Sequence, residues 1–148
     1  VAGKAGLKAG LIGLVVLLIV TTLNNLLPIS GALVYVLCGI SILIYTGIGV
    51  LAGLFLVPPR TPGKGTGAGA IAGLIGSGVN GVIGFVITSI RLSRGLGMAG
   101  VDPQQMQLLL DAGYDPRTFL LPGIVCGLII GAGVAAVSGA ILAAVKPD

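Results

Sequence analysis

The sequence predicts an all-α, polytopic membrane protein: four transmembrane helices in two hairpins, with one short interfacial amphipathic helix between the third and fourth. Three observations carry this. Of 148 residues, 55% are hydrophobic and 8% charged, against about 25% charged in an ordinary soluble domain, and the mean hydropathy is +1.15. Four apolar runs are each long enough to supply the roughly 20 residues that a bilayer core requires, and the stretches beside them hold all the Lys, Arg and Asp. In two of the runs small residues recur at every fourth position, a glycine-zipper pattern. In water that glycine load weakens a helix by roughly 1 kcal/mol per Gly relative to Ala; in lipid the backbone satisfies itself and glycine permits close interhelical approach.

The first span is read over residues 9–27. Lys4 and Lys8 lead into the aliphatic run 11–20, an order similar to the n- and h-regions of a signal peptide, with Ser30-Gly31-Ala32 as a small-x-small site. We take the segment as a retained helix, with Asn24 and Asn25 at headgroup level and Pro28 closing it. The second span, 31–57, follows through an uncharged connection. Tyr35, Tyr45 and Phe55 are its thin aromatic presence, Gly49 and Gly53 form one GxxxG pair, and Pro58, Pro59, Pro62 and Gly63 stop it where Arg60 and Lys64 require water.

The third span, 67–90, belongs to the stretch in which Gly65, Gly69, Gly73, Ser77 and Gly81 share one helix face. The fourth, 119–145, repeats the pattern at Gly123, Gly127, Gly131, Ala135 and Gly139. Two bare faces on consecutive spans are expected to meet, bringing the axes closer than the usual 8–10 Å. Leucine at Gly73 or Gly127 is then expected to disrupt packing more than leucine at the lipid-facing Ile83. Between these spans, Asp102 and Pro103 start a helix over 103–112 that Gly113 ends. Met106, Leu109 and Leu110 fall on one side of it and Gln104, Gln105, Gln107 and Asp111 on the other, the pattern of a helix lying on a membrane surface.

Chemistry is scarce. The chain has no His, Glu or Trp, which removes the usual general bases and most metal ligands. The serines therefore have no activating base, and Gly63-Lys64-Gly65-Thr66 does not complete a phosphate-binding loop. No catalytic, metal or cofactor site is expected, and the scattered cations with few aromatics offer no nucleic-acid surface. No Asp, Glu, Lys or Arg lies inside any span, which excludes a proton-translocating ring subunit, an ion-coupled carrier and a voltage sensor. Asn80, near the middle of span three, is the deepest polar side chain. It serves either an interhelical hydrogen bond, the favoured reading, or a transport path. Cys38 and Cys126 fall at similar depth and read as buried small hydrophobes; a disulfide requires their Cα atoms within about 7 Å.

Lys4, Lys8, Arg60, Lys64 and Lys146 fall on one side and Arg91, Arg94 and Arg117 on the other, which favours cytoplasmic termini. Ala-Gly-Leu-Ile-Gly occurs at 9–13 and again at 72–76, a hint of two hairpins related by a pseudo-twofold axis. The glycine-rich four-span layout resembles many small prokaryotic membrane proteins of the cytoplasmic membrane, without a motif of a specific family. Two functions fit: a non-catalytic accessory subunit packing in the bilayer against itself or membrane-protein partners, or a small oligomeric channel or facilitator for a neutral solute lined by Asn24, Asn25 and Asn80.

Overall fold

An apolar chain with few side chains able to compete for main-chain hydrogen bonds closes those bonds within helices. The structure, a computed structural model, describes residues 1–26, 32–97 and 102–148. Its elements are α1 (Ala2–Leu26), α2 (Ala32–Leu54), α3 (Pro62–Ser93), α4 (Pro103–Asp111), a 3₁₀ turn (Pro116–Phe119) and α5 (Leu120–Val145). Four helices, α1, α2, α3 and α5 with its leading turn, are long and apolar enough to cross a membrane. The role expected of Pro28 lies outside the described residues.

Boundaries differ from the sequence expectation where local signals outweigh hydropathy. The basic lead is helical, and α1 begins at Ala2 because Ala5, Gly6, Ala9 and Gly10 are buried in the bundle. The start of α3 moves back to Pro62, where Thr61 in extended conformation accepts from the Lys64 N–H and proline occupies the first turn. At its other end the Arg94 N–H bonds the Ile90 carbonyl, and Gly95 and Gly97 follow at φ +71° and +70°. Helix α4 is capped by the Asp102 carboxylate on the Gln104 N–H, and Gly113 leaves it at φ +80°.

Helix α3 is the hub. It packs most extensively on α5, next on α1, while α2 lies across and touches all three; α1 and α5 barely meet. The interior is built mainly of alanine and glycine: Ala9, Ala52, Ala68, Ala72, Ala135 and Ala143 are fully enclosed, and Leu56 is the one large side chain below 2% exposure among the described residues. Large aliphatics such as Leu11, Val15, Ile19, Leu43, Ile129 and Val137 face outward instead. This reverses the order of a water-soluble bundle and fits a lipid surround.

The small residues meet main chain to main chain over half the bundle. A Cβ placed on Gly73 would lie 2.5 Å from the Gly131 carbonyl oxygen, and one on Gly139 would lie 2.5 Å from that of Gly65. On Gly69 it would collide with the Ala135 carbonyl. Ser77 is buried and returns its hydroxyl to the Gly73 carbonyl at 2.6 Å. Two further small faces complete the arrangement: Gly6 and Gly10 abut Ala68, Ile71, Ala72 and Ile75 of α3, and Gly49 abuts Ala135 and Ser138 of α5.

The expected match does not run the whole length. Gly81 meets only the Ile124 side chain at 3.2 Å, and a Cβ on Gly123 or Gly127 would meet nothing within 4 Å. The helices diverge toward the end of the bundle that holds Asn24 and Arg91, so these two glycines front open space. Leucine at Gly127 therefore has room, which corrects the expectation that it rivals Gly73. The two Ala-Gly-Leu-Ile-Gly copies do meet, Gly10 against Ala72 and Ile75. Yet α3 packs on α5 far more than α1 on α2, so the packing is not twofold.

The close-packed end is tied by Arg60. Its guanidinium donates to the Leu54 and Leu56 carbonyls after α2, at 3.3 and 3.1 Å, and to the Lys146 and Asp148 main-chain oxygens, at 3.3 and 2.6 Å. Its own N–H donates to the Pro147 carbonyl at 2.8 Å. Helix α4 touches the bundle through the 3₁₀ turn. Met106 is buried and Leu109 half-buried, but Leu110 is exposed, so the predicted apolar face is only partly covered.

Candidate functional site

Where the helices diverge, all four line one cleft of about 540 Å³. Its position follows from the close-packed half: the Tyr45 ring rests against Gly131, whose Cβ would fall 2.8 Å from the ring and 3.0 Å from the Ser77 Cβ. That cluster is the floor. Above it, Leu17, Thr21 and Asn24 form the α1 wall, Cys38, Ser41 and Ile42 the α2 wall, and Gly127 and Ile130 part of the α5 wall. Missing side chains at Gly123 and Gly127 keep the space open, so one periodic pattern on α5 produces contact at one end and a void at the other.

Asn80 sits at the junction with a second lobe that Asn25, Ser77, Gly81 and Thr88 help to line. Its Oδ1 accepts the Thr21 hydroxyl at 2.6 Å, joining α3 to α1. The face that carries it is the continuation of Ala68, Ala72 and Gly76, four residues at a time, which is why it looks toward α1. Asn25 donates to the Thr21 carbonyl at 2.8 Å, and the Arg91 guanidinium donates to the Asn25 carbonyl, tying the mouth between α1 and α3. Asn24 has no such tie among the described residues.

The lining carries no ionisable carboxylate or ammonium. Cys38 and Cys126 are free and exposed, both on the cleft, not enclosed in a core as their apolar surroundings imply. They stand at matching levels, because α2 and α5 run parallel with Tyr45 opposite Gly131 and Gly49 opposite Ala135. No group of three or more potential metal ligands occurs among the described residues. The arrangement can hold and orient a neutral molecule by hydrogen bonds, and it offers no nucleophile paired with a base.

Sequence reading singled out Asn80, Asn24 and Asn25 from this site and missed Thr21, Ser41 and Tyr45. Thr21 and Thr22 interrupt an aliphatic run just before the two asparagines, a polar cluster that pointed to them. The packing glycines Gly65, Gly69 and Gly73 and the α4 residues Met106, Leu109 and Leu110 lie away from the cleft.

Fold and site together define a class: a helical chain with four segments able to cross a membrane and an uncharged cleft among them. No protein-family pattern, curated protein or solved structure matches this chain.

Proposed function

We infer that the chain is a non-catalytic accessory subunit of a prokaryotic cytoplasmic membrane, close-packed toward one face of the bilayer and open toward the other. The observation that supports this best is the lengthwise asymmetry: carbonyl contacts at Gly65, Gly69 and Gly73 hold one half, while Gly123 and Gly127 leave the other half apart. A subunit built this way presents a fixed base and an adaptable open end, where α4 lies on the membrane surface and supplies Leu108 and Leu110 to lipid or to a partner. Both termini are cytoplasmic in this reading, by the lysine balance.

Purification in mild detergent followed by native mass analysis tests it. A stoichiometric companion protein, or a defined homo-oligomer, is expected. A lone monomer under conditions that preserve the fold overturns the reading.

A facilitator for a neutral solute is the second reading, favoured by Asn24 and Asn80 facing one cleft. It requires the floor at Tyr45 and Gly131 to open, since those groups stand in contact. Reconstituted vesicles that release glycerol faster than protein-free ones, and lose the increment in Gly131→Phe, would favour it over the subunit.

A further inference from the structure

The cleft has the size and the chemistry of a ligand site. Its volume of about 540 Å³ falls within the range of roughly 300–1,000 Å³ typical of small-molecule pockets, which in helical bundles lie between helices. The walls are mainly aliphatic; apart from Ser41, Tyr45 and the two cysteines, their polar groups form one uncharged stripe of Thr21, Asn24 and Asn80. On that stripe the Thr21 hydroxyl satisfies the Asn80 oxygen, which leaves the Asn80 Nδ2 hydrogens and the whole Asn24 carboxamide without a protein partner among the described residues. Both side chains line the cleft. Amides in apolar surroundings demand partners, so a neutral hydroxyl or carbonyl is the complement they lack.

Charge narrows the class. An anionic head would find no Lys or Arg in the lining, the Arg91 guanidinium at the mouth donating to the Asn25 carbonyl, and a cationic head no carboxylate, so either would lose hydration without compensation. A plain hydrocarbon would leave both amides unsatisfied. The geometry points to a neutral, single-chain lipid with a hydroxyl or ester head as the occupant, its head at Asn24 and Asn80 and its tail along Leu17, Ile42 and Ile130. This site is separate from the question of a protein companion, and it stands if the chain is found alone.

The two native thiols on the cleft supply the readout. The full chain carrying Cys38→Ser, in maltoside micelles, is alkylated at Cys126 with N-ethylmaleimide in the presence of monoolein, hexadecane or oleoyl lysophosphatidylglycerol. Monoolein is expected to slow alkylation saturably, about tenfold at roughly ten times its dissociation constant, while the other two leave the rate within about twofold. Asn80→Leu loses the protection; should that variant not fold, Asn24→Ala weakens it. Gly127→Leu, which fills the space without meeting the backbone, reacts slowly with or without monoolein. An alkylation rate indifferent to monoolein overturns the site, and equal protection by hexadecane or the anionic lipid overturns the assigned head group. Neither result bears on a companion in the native mass spectrum, so the two readings fail separately.

Discussion

Thr21 and Asn80 are separated by 59 positions in sequence and by 2.6 Å between their side-chain oxygens. The hydroxyl donates to the carboxamide, and this contact stands one turn beyond the point where the Leu17 side chain of α1 reaches Gly76 of α3. It fastens the two helices along the wall of the cleft. In a double-mutant cycle of Thr21→Val and Asn80→Leu, we expect a coupling of about 0.6 kcal/mol, and no more than about 2 kcal/mol. Unfolding in mixed micelles measures it, and strictly additive effects would remove the bond from the account.

The two halves of the α3–α5 interface should answer differently to the same added methyl group. Gly69→Ala drives a Cβ into the Ala135 carbonyl, main chain that cannot yield without moving a helix, and should cost about 1–3 kcal/mol. Gly127→Ala meets nothing within 4 Å and should stay within about 0.5 kcal/mol of the parent. Equal loss of thermal stability in detergent for both variants would contradict the divergence of α3 from α5.

The three atoms nearest a Cβ on Gly13 all belong to the Ile48 side chain, so the obstacle is a side chain and not main chain. Gly13→Ala should therefore be partly rescued by Ile48→Ala, which removes both the Cδ1 and the Cγ1 atoms in the way, with a non-additivity of about 0.5 kcal/mol or more. Gly49→Ala faces both the Ser138 hydroxyl and the Ala135 carbonyl oxygen. There Ser138→Ala should bring little rescue, because the carbonyl remains. Melting temperatures of the single and double variants decide both cases.

Arg60 gathers four carbonyl oxygens from the ends of two helices. Arg60→Ala leaves those carbonyls to water and should cost about 1–2 kcal/mol, the lower part of the range for charge-assisted bonds because the site is only half-buried. Arg60→Lys should recover less than half, since one ammonium cannot span both helix ends. Hydrogen exchange at the amides of residue 60 and Lys146, which bond the Pro147 and Leu142 carbonyls, should accelerate in both variants while the amides near Gly73 keep their protection; a uniform acceleration would mean that Arg60 holds the whole bundle together.

The four long helices were legible in the sequence because length, hydropathy and proline placement act locally. So was the face of α3 that carries Gly65, Gly69 and Gly73. The fate of Gly123 and Gly127 was not, since a period of four residues specifies which side of a helix is bare and says nothing about whether its neighbour follows or diverges. The packing of Ala5, Gly6, Ala9 and Gly10 was hidden behind Lys4 and Lys8, whose charge reads as a polar lead although they project away from that face. Arg60 looked like a turn residue, because its acceptors at Lys146 and Asp148 come from 86 and 88 positions further on. For Asn80 the favoured interhelical hydrogen bond is what the structure contains, with Thr21 as a donor that spacing alone did not name.

The resting place of the Tyr45 ring on Gly131 has a mechanical corollary. Ala32 lies about 20 Å along α2 from Tyr45, at the 1.5 Å rise of an α-helix, and a Cβ on Gly39 between them would meet nothing within 4 Å, where one on Gly49 would meet the Ala135 carbonyl. A tilt of about 10° pivoting there would carry the tip of the helix some 3–4 Å, roughly the width of one methylene chain, while the contacts below it stay unchanged. The tyrosine thus stands where a fulcrum would, between a short arm pinned at Gly49 and a long arm on which Gly39 has no neighbour.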